Sequence, residues 1–266
     1  MAAQPEGTPC WADATFADLE GAKSFYGDVL GWTFGESAEE YGGYTQAYSG
    51  GKAVAALAPP MPGQDDTSSA WCLYLASPDV AATAGKVRDH GGEVLLEPMQ
   101  VGEFGSMLLA RDPSGAVFGV WQANRHEGFG KRGEPGAYAW AEVFTRAPEK
   151  ADAFFPGVFP YRVKRIEDEH VDFTIYQVGE DAVLGRMKMT EEFPPEIPPY
   201  VNVYFGVPDC DAAVAKATER GGRLNFGPMD SPFGRFAAVG DPQGAAFAVI
   251  DMSTTKGEMP TIVDAS

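Results

Sequence analysis

One long stretch of this chain occurs twice, and that repeat limits the architectures open to it. Residues 11–32, WADATFADLEGAKSFYGDVLGW, return as AWAEVFTRAPEKADAFFPGVF from Ala139, at an offset of 129 residues that sets Trp140 on Trp11 and Glu142 on Asp13. RGGRLNFGPM from Arg220 answers HGGEVLLEPM from His90, and DPQGAAFAV from Asp241 answers DPSGAVFGV from Asp112. A repeat of this length predicts two halves built alike, each able to bury its own core.

The opening stretch reads as strand, cap, helix and stop. Trp11, Asp13 and Thr15 alternate with Ala12, Ala14 and Phe16, so a strand sends the first set to one face and the second to the other. Asp18 stands at the N-cap position, Ala22, Phe25, Tyr26, Val29 and Leu30 recur at helical spacing, and Gly31 offers a left-handed stop. One strand face therefore packs under the helix. The face carrying Trp11 and Asp13 looks at something else.

Strands are predicted around 44–49 and 52–58, divided by Gly50-Gly51, before a polar connection over 59–66. A second unit follows, with a strand over 70–76, a helix capped at Ser77 or Asp79 and running to about His90, and strands around 93–99, 106–111 and 116–122. The fold class is α+β, with the unit βαβββ given four times. Residues 1–123 make the first half and 137–266 the second, joined by a linker over 124–136 that loses apolar periodicity and gathers Gly, Pro and charge. In the second half Pro156 is expected to break the helix, EEFPPEIPPY to lack regular structure, and the tail after Asp251 to be loosely ordered.

With 38 acidic against 20 basic residues, the formal charge of −18 opposes a phosphate backbone and an anionic membrane surface, so nucleic acid is excluded as a partner. An acidic surface most often serves solubility. Cys10, Cys72 and Cys210 cannot all pair and show no C-x-x-C spacing, which argues against a disulfide framework and a structural zinc site. No basic patch precedes an apolar run at the N-terminus, and no stretch approaches the ~18 apolar residues of a membrane span. A cytoplasmic protein with no membrane partner is expected.

The F-Y-G-x-V-L-G-W ending of the first helix, the strand before P-D with its helix and following G-G, and the D-P-x-G turn before the last strand together resemble the vicinal oxygen chelate superfamily. This is the group of glyoxalase I, bleomycin-resistance proteins and extradiol dioxygenases. The resemblance covers about residues 10–122 and 138–251. It implies paired βαβββ modules whose mixed sheets curl around a cleft, commonly holding a divalent metal.

In metal-using relatives a His opens the first strand seven residues before the capping Asp, a second ligand opens the matching strand of the next module, and a Glu lies seven residues after the Asp of D-P-x-G. Those places hold Trp11, Cys72 and Gly119 in the first half, and Trp140, Asn202 and Ala248 in the second. Indole, glycine and alanine supply no ligand, so no metal and no other cofactor is expected. The histidines His90, His126 and His170 match no ligand position. His170 with Asp168 or Asp172 is the remaining alternative, against the plainer view of that acidic run as a solvated edge.

The resemblance instead lines each cleft with an indole and a carboxylate, Trp11 with Asp13 and Trp140 with Glu142, facing Cys72 and Tyr74, and Asn202 and Tyr204. Such a lining suits a small aromatic or hydrophobic ligand, stacked on the tryptophan and hydrogen-bonded to the carboxylate. The tryptophans could equally plug disused clefts, and the tyrosines could serve packing. Two functions follow: sequestration of a secondary metabolite or antibiotic without a metal, or a metal-independent isomerase, cyclase or hydroxylase-like enzyme in which Asp13 or Glu142 is the catalytic carboxylate, with a divalent-metal lyase or dioxygenase as the less favoured third. Cys72 has no partnering His and is not expected to act as a nucleophile. Four modules in one chain favour a monomer, with a homodimer as the alternative.

Overall fold

A computed structural model describes residues 4–60, 69–168 and 171–265. Most of the connection expected over 59–66, and His170, fall outside the described residues. The first half runs through β1 (Pro9–Thr15), α1 (Leu19–Leu30), β2 (Thr33–Phe34), β3 (Thr45–Ser49) and β4 (Lys52–Ala58). The same plan follows in β5 (Trp71–Ala76), α2 (Val80–Asp89), β6 (Glu93–Val101), β7 (Gly105–Arg111) and β8 (Val117–Ala123). The second half gives β9 (Tyr138–Thr145), α3 (Pro148–Val158), β10 (Arg162–Ile166), β11 (Phe173–Val178) and β12 (Asp181–Lys188). It ends with β13 (Tyr200–Gly206), α4 (Cys210–Glu219), β14 (Arg223–Ser231), β15 (Gly234–Gly240), β16 (Ala246–Asp251) and a short β17 (Ile262–Asp264).

Each half is one mixed sheet, of eight strands in the order β2-β3-β4-β1-β5-β8-β7-β6 and of nine in the order β14-β15-β16-β13-β9-β12-β11-β10-β17. The seam between modules is antiparallel, β1 on β5 in the first sheet and β9 on β13 in the second. Local signals set the helices as the sequence predicts. Asp18 Oδ1 accepts the Gly21 N–H at 2.9 Å, Gly31 stops α1 at φ 71°, and Asp79 caps α2 by accepting from Ala82 N at 3.0 Å.

Two expectations fail. Pro156 does not break α3, because it falls in the last turn, where only one helical hydrogen bond is lost and the buried face of Ala151, Phe154, Phe155 and Val158 holds the helix to its end. The tail is not loose throughout: β17 pairs antiparallel with β10, Lys164 opposite Asp264, and so satisfies that strand's open edge. The two-residue β2 was not foreseen, being too short to show a period.

Between the sheets lies one continuous core. Helices of one half pack on those of the other, α1 against α4 and α2 against α3, and the inner sheet faces close on them. Tyr26 is its polar centre. Its hydroxyl accepts from Trp71 Nε1 at 3.0 Å and donates to Asp241 Oδ2 at 2.9 Å, while its ring lies against Trp32, Trp71 and Phe247. Around it Trp32 Nε1 donates to the Gly136 carbonyl, and Gln243 exchanges two 2.8 Å hydrogen bonds with the Asp18 backbone. A second buried polar cluster sits in the later half, where Arg186, 1% exposed, binds Asp152, Asp172 and Thr174.

Because the core is shared, urea unfolding followed by tryptophan fluorescence and by circular dichroism is expected to give one coincident transition. Tyr26→Phe strands the Trp71 N–H and removes a donor from the buried Asp241 carboxylate, so stability falls by about 2 kcal/mol. Two separate transitions, or an unchanged midpoint in the variant, contradict this reading of the core.

Candidate functional site

The strand faces turned away from the helices carry the predicted residues. On β1 these are Trp11 and Asp13, on β9 Trp140 and Glu142. The antiparallel seams set Asp13 beside Cys72 and Trp11 beside Tyr74, and likewise Glu142 beside Asn202 and Trp140 beside Tyr204. The tyrosines and their neighbours therefore adjoin the indole–carboxylate pairs within one sheet; they do not face them across a cleft. Adjacent antiparallel strands bring Cβ atoms within about 5.5 Å, which is why hydrogen bonds form along the wall.

In the first half those bonds run in series. Trp11 Nε1 donates to the Tyr44 hydroxyl at 2.8 Å, and Tyr44 donates to Asp13 Oδ2 at 3.0 Å. Desolvation pushes the Asp13 carboxyl up to about 7, opposed by hydrogen bonds from Tyr44 and Tyr74. By area Asp13 keeps some exposure, but its carboxyl lies among buried aromatic groups, and burial governs its titration. Burial also drives the Cys72 thiol far above its ordinary range, with Asp13 adding to the rise, so it is not an available thiolate.

The expected linker is a strap laid over this cleft. Phe129 N donates to the Cys10 carbonyl and Gly130 N to that of Ala53, each at 2.7 Å. Those bonds press the His126 ring edge-on to Trp11 at 4.3 Å, with Phe129 against the same indole at 5.6 Å. Trp121 Nε1 holds the His126 carbonyl at 2.8 Å. Trp11 is left 3% exposed under its own chain, while Asp13 and Cys72 on the same wall keep part of their surface. Tyr44, His126 and Phe129 were missed in the sequence reading. The signal for the last two was an imidazole and a phenyl ring within an otherwise polar, glycine-rich run.

In the second half the 189–199 segment packs at the far end of the wall, Phe193 lying 5.7 Å from Phe144 while Arg146 donates to the carbonyls of Phe193, Pro194 and Ile197. Trp140 keeps part of its surface, while Glu142 is 9% exposed and accepts at both oxygens, from Trp140 Nε1 at 3.1 Å and from the Tyr204 hydroxyl at 2.8 Å. Desolvation pushes Glu142 up to about 7, and the two donors hold it back. Tyr200, stacked on Phe144 at 5.0 Å, and Phe236, 6.1 Å from Tyr204, continue the aromatic lining. Burial raises Tyr200 to about 12, with the nearby Glu142 charge contributing.

A divalent ion does not fit these walls. The ligand positions hold Trp11, Cys72 and Gly119, and Trp140, Asn202 and Ala248. The Tyr74 ring lies directly over Gly119, where a Cβ would come within 2.3 Å of it, so no longer side chain could reach inward there. Asp172, weighed in sequence as an alternative ligand, is engaged by the buried Arg186 guanidinium. No cluster of three or more His, Cys, Asp or Glu side chains suited to a metal occurs among the described residues.

The sequence model of the Glyoxalase/Bleomycin resistance protein/Dioxygenase superfamily matches residues 11–120. Over 250 residues the chain is 38% identical to CFP32 of Mycobacterium tuberculosis (strain CDC 1551 / Oshkosh), provisionally named a glyoxylase, covering 92% of this chain and 95% of that one. The chain belongs to the glyoxalase/bleomycin resistance/dioxygenase superfamily. It is also 34% identical over 259 residues to the anthracycline biosynthesis protein DnrV of Streptomyces peucetius, covering 92% and 94% of the two chains. Among solved structures, the Mn(II)-bound glyoxalase from Novosphingobium aromaticivorans superposes at a TM-score of 0.63 with 16% identity, over 96% of this chain and 87% of its own. A 2,2',3-trihydroxybiphenyl 1,2-dioxygenase from Sphingomonas wittichii strain RW1 gives 0.64 with 13% identity, over 97% and 92%. At such identities these two structures speak for the superfamily fold alone. No helix among the described residues is long and apolar enough to cross a membrane.

The raised carboxyl gives a signed pH dependence. Glu142 goes from 4.5 to about 7 on folding, so the folded state keeps a proton that the unfolded chain releases. Its favourable contribution is complete below pH 4.5 and is lost as pH rises through 7. Glu142→Gln stays neutral, so above pH 7 it is expected to exceed the parent protein in stability by up to about 3 kcal/mol, the difference vanishing at low pH. Urea titrations of both proteins at pH 5 and pH 8 measure this, and an equal difference at the two values refutes it.

Proposed function

We propose that this superfamily member binds a flat aromatic small molecule in its second-half cleft without a divalent metal and releases it unchanged. The observation that carries the reading is the Glu142 carboxyl, buried beside a partly open indole and tied to Tyr204 and Trp140. A ligand hydroxyl or amine docks on that carboxyl while its ring system lies against Trp140 and the Tyr200–Phe144 stack. Relatives named for anthracycline biosynthesis support a fused-ring ligand from secondary metabolism. Metal independence rests on the donor set, since indole, amide and alanine occupy the ligand positions. One ligand per chain is proposed, because His126 and Phe129 of the strap cover the Trp11 indole, and the assembly is proposed to be a monomer.

A second reading is supported by the same carboxyl. An acid poised at about 7 can exchange a proton with a bound phenol or enol near neutral pH, which makes Glu142 the catalytic group of an isomerase- or cyclase-type step. Asp13 shares the titration, beside a Trp11 that His126 and Phe129 cover.

Dihydroxyanthraquinones titrated into the protein are expected to quench tryptophan fluorescence with one-to-one stoichiometry, insensitive to chelator. Trp140→Ala is expected to weaken binding about tenfold, and Trp11→Ala to change it little. A loss in Trp11→Ala with Trp140→Ala unchanged moves the site to the first cleft. Recovery of the compound with altered mass, abolished by Glu142→Gln, decides for the enzyme.

A further inference from the structure

The Glu142 carboxyl has a filled side and an open side. Toward β12 the wall is filled: Gly185 pairs with Glu142, and the Phe173 ring leans over it, so that a Cβ there would come within 2.5 Å of Phe173 and 2.9 Å of Glu142 Cγ. Ile175, which pairs with Gly185 from β11, is buried, and so is Phe144. Toward β14 the same sheet face stays accessible. Past Tyr204, Phe236 of β15 and Met252 at the end of β16 are half-buried, while Phe226 and Met229 of the edge strand are exposed, Phe226 by 53%.

Aromatic rings lead along that open side. The Tyr204 hydroxyl donates to Glu142, the Phe236 ring centre lies 6.1 Å from that of Tyr204, and Phe226 stands 6.2 Å from Phe236. Register agrees, since Met229 pairs with Phe236 and Phe226 with Ala238, two residues on, which sends all of them to one face. From β9 to β14 the row crosses four interstrand spacings, roughly 19 Å along the sheet. Beyond Tyr204 the intervening residues on this face, Ala248, Ile250 and Ala238, are apolar too. The matching places of the first half hold Leu96 and Met107 for Phe226 and Phe236, so these two rings belong to the second half. An incoming strand does not account for the exposed Phe226. Pro228 offers no N–H, and the β14–β15 register shifts on both sides of Phe226, which interrupts the edge that a second strand would need.

We propose that Phe236 and Phe226 determine the specificity of the second-half cleft, which takes a linearly fused aromatic of three or more rings, its hydroxyl-bearing ring at Glu142 and its far rings over Tyr204, Phe236 and Phe226. The extension rests on the Glu142 cleft being a ligand site, and adds to it a length and a direction. A one-ring phenol reaches the carboxyl and leaves the Phe236–Phe226 side in water. Each further ring in line covers more of the apolar row and gains area burial together with ring–ring contact. Growth toward β12 meets Phe173, so the row toward β14 is the direction that remains.

The full chain is titrated by calorimetry with phenol, 2-naphthol and 2-hydroxyanthraquinone, which keep one hydroxyl and add rings in line. Affinity is expected to rise about five- to tenfold with each added ring. Phe226→Ala and Phe236→Leu are each expected to cut the affinity ratio of anthraquinone to phenol about fivefold, and Leu96→Ala, at the matching place of the first half, to leave that ratio unchanged. Phe226 is exposed, so its replacement is expected to leave the melting temperature within a degree or two of the parent protein, on the order of a surface substitution. Glu142→Gln is expected to weaken all three compounds while keeping the ratio. The proposal is overturned if the three bind alike, or if the ratio survives in both phenylalanine variants; phenol binding that Glu142→Gln still weakens then leaves the Glu142 site standing without its extension. Saturable binding by none of the three overturns both.

Discussion

The hydrogen bonds at Tyr26 tie the two halves into one molecule. Trp71 and Tyr26 belong to different modules of the first half and Asp241 to the last module of the second, so three of the four modules meet at one hydroxyl. Asp241 is the acid of the second D-P-x-G turn. Its Oδ1 accepts from Gln243 N and Ala245 N to close that turn, leaving Oδ2 for Tyr26. Desolvation raises Asp241, and the Tyr26 and backbone donors compensate for its burial. In the first half the equivalent Asp112 finds Ser114 in its own turn, and Phe155 stands at the place matching Tyr26. The halves depart from symmetry where a buried polar group needs a partner that only one can provide.

With the helical faces committed to that core, the outer faces of β1 and β9 carry the Asp13 and Glu142 carboxyls. A carboxylate there is tolerated only with donors, and each half supplies them differently. Asp13 receives Tyr44, whose hydroxyl is itself held by Trp11, whereas Glu142 receives Trp140 and Tyr204 directly. The strap sets the two walls apart. Its backbone bonds to Cys10 and Ala53 seat His126 and Phe129 on Trp11, so that indole is covered by the chain itself. Its last residues, around Arg132, then border a groove beside β9.

Much of the site was legible before any coordinates. Alternation along β1 and β9 places Trp11, Asp13, Trp140 and Glu142 on outward faces, and the D-P-x-G spacing leaves Gly119 and Ala248 where a ligand would be required. Tyr44 was not legible, because its bond to Asp13 depends on how β3 and β4 fold back beside β1. Nor was the Arg186 cluster, since nothing in a strand's period announces that one inward residue will be an arginine balanced by Asp152 and Asp172.

What the sequence alone determined is local and periodic: the βαβββ units, the Asp18 and Asp79 caps, and the left-handed Gly31. These follow from neighbours within a few residues or from the repeat itself. Tertiary structure decided which modules share a sheet, which indole the strap covers, and that burial raises both carboxyls to about 7. Desolvation is the physical reason for the last point. It is set by everything packed around a group, and most of what surrounds Asp13 and Glu142 arrives from strands far away in the chain.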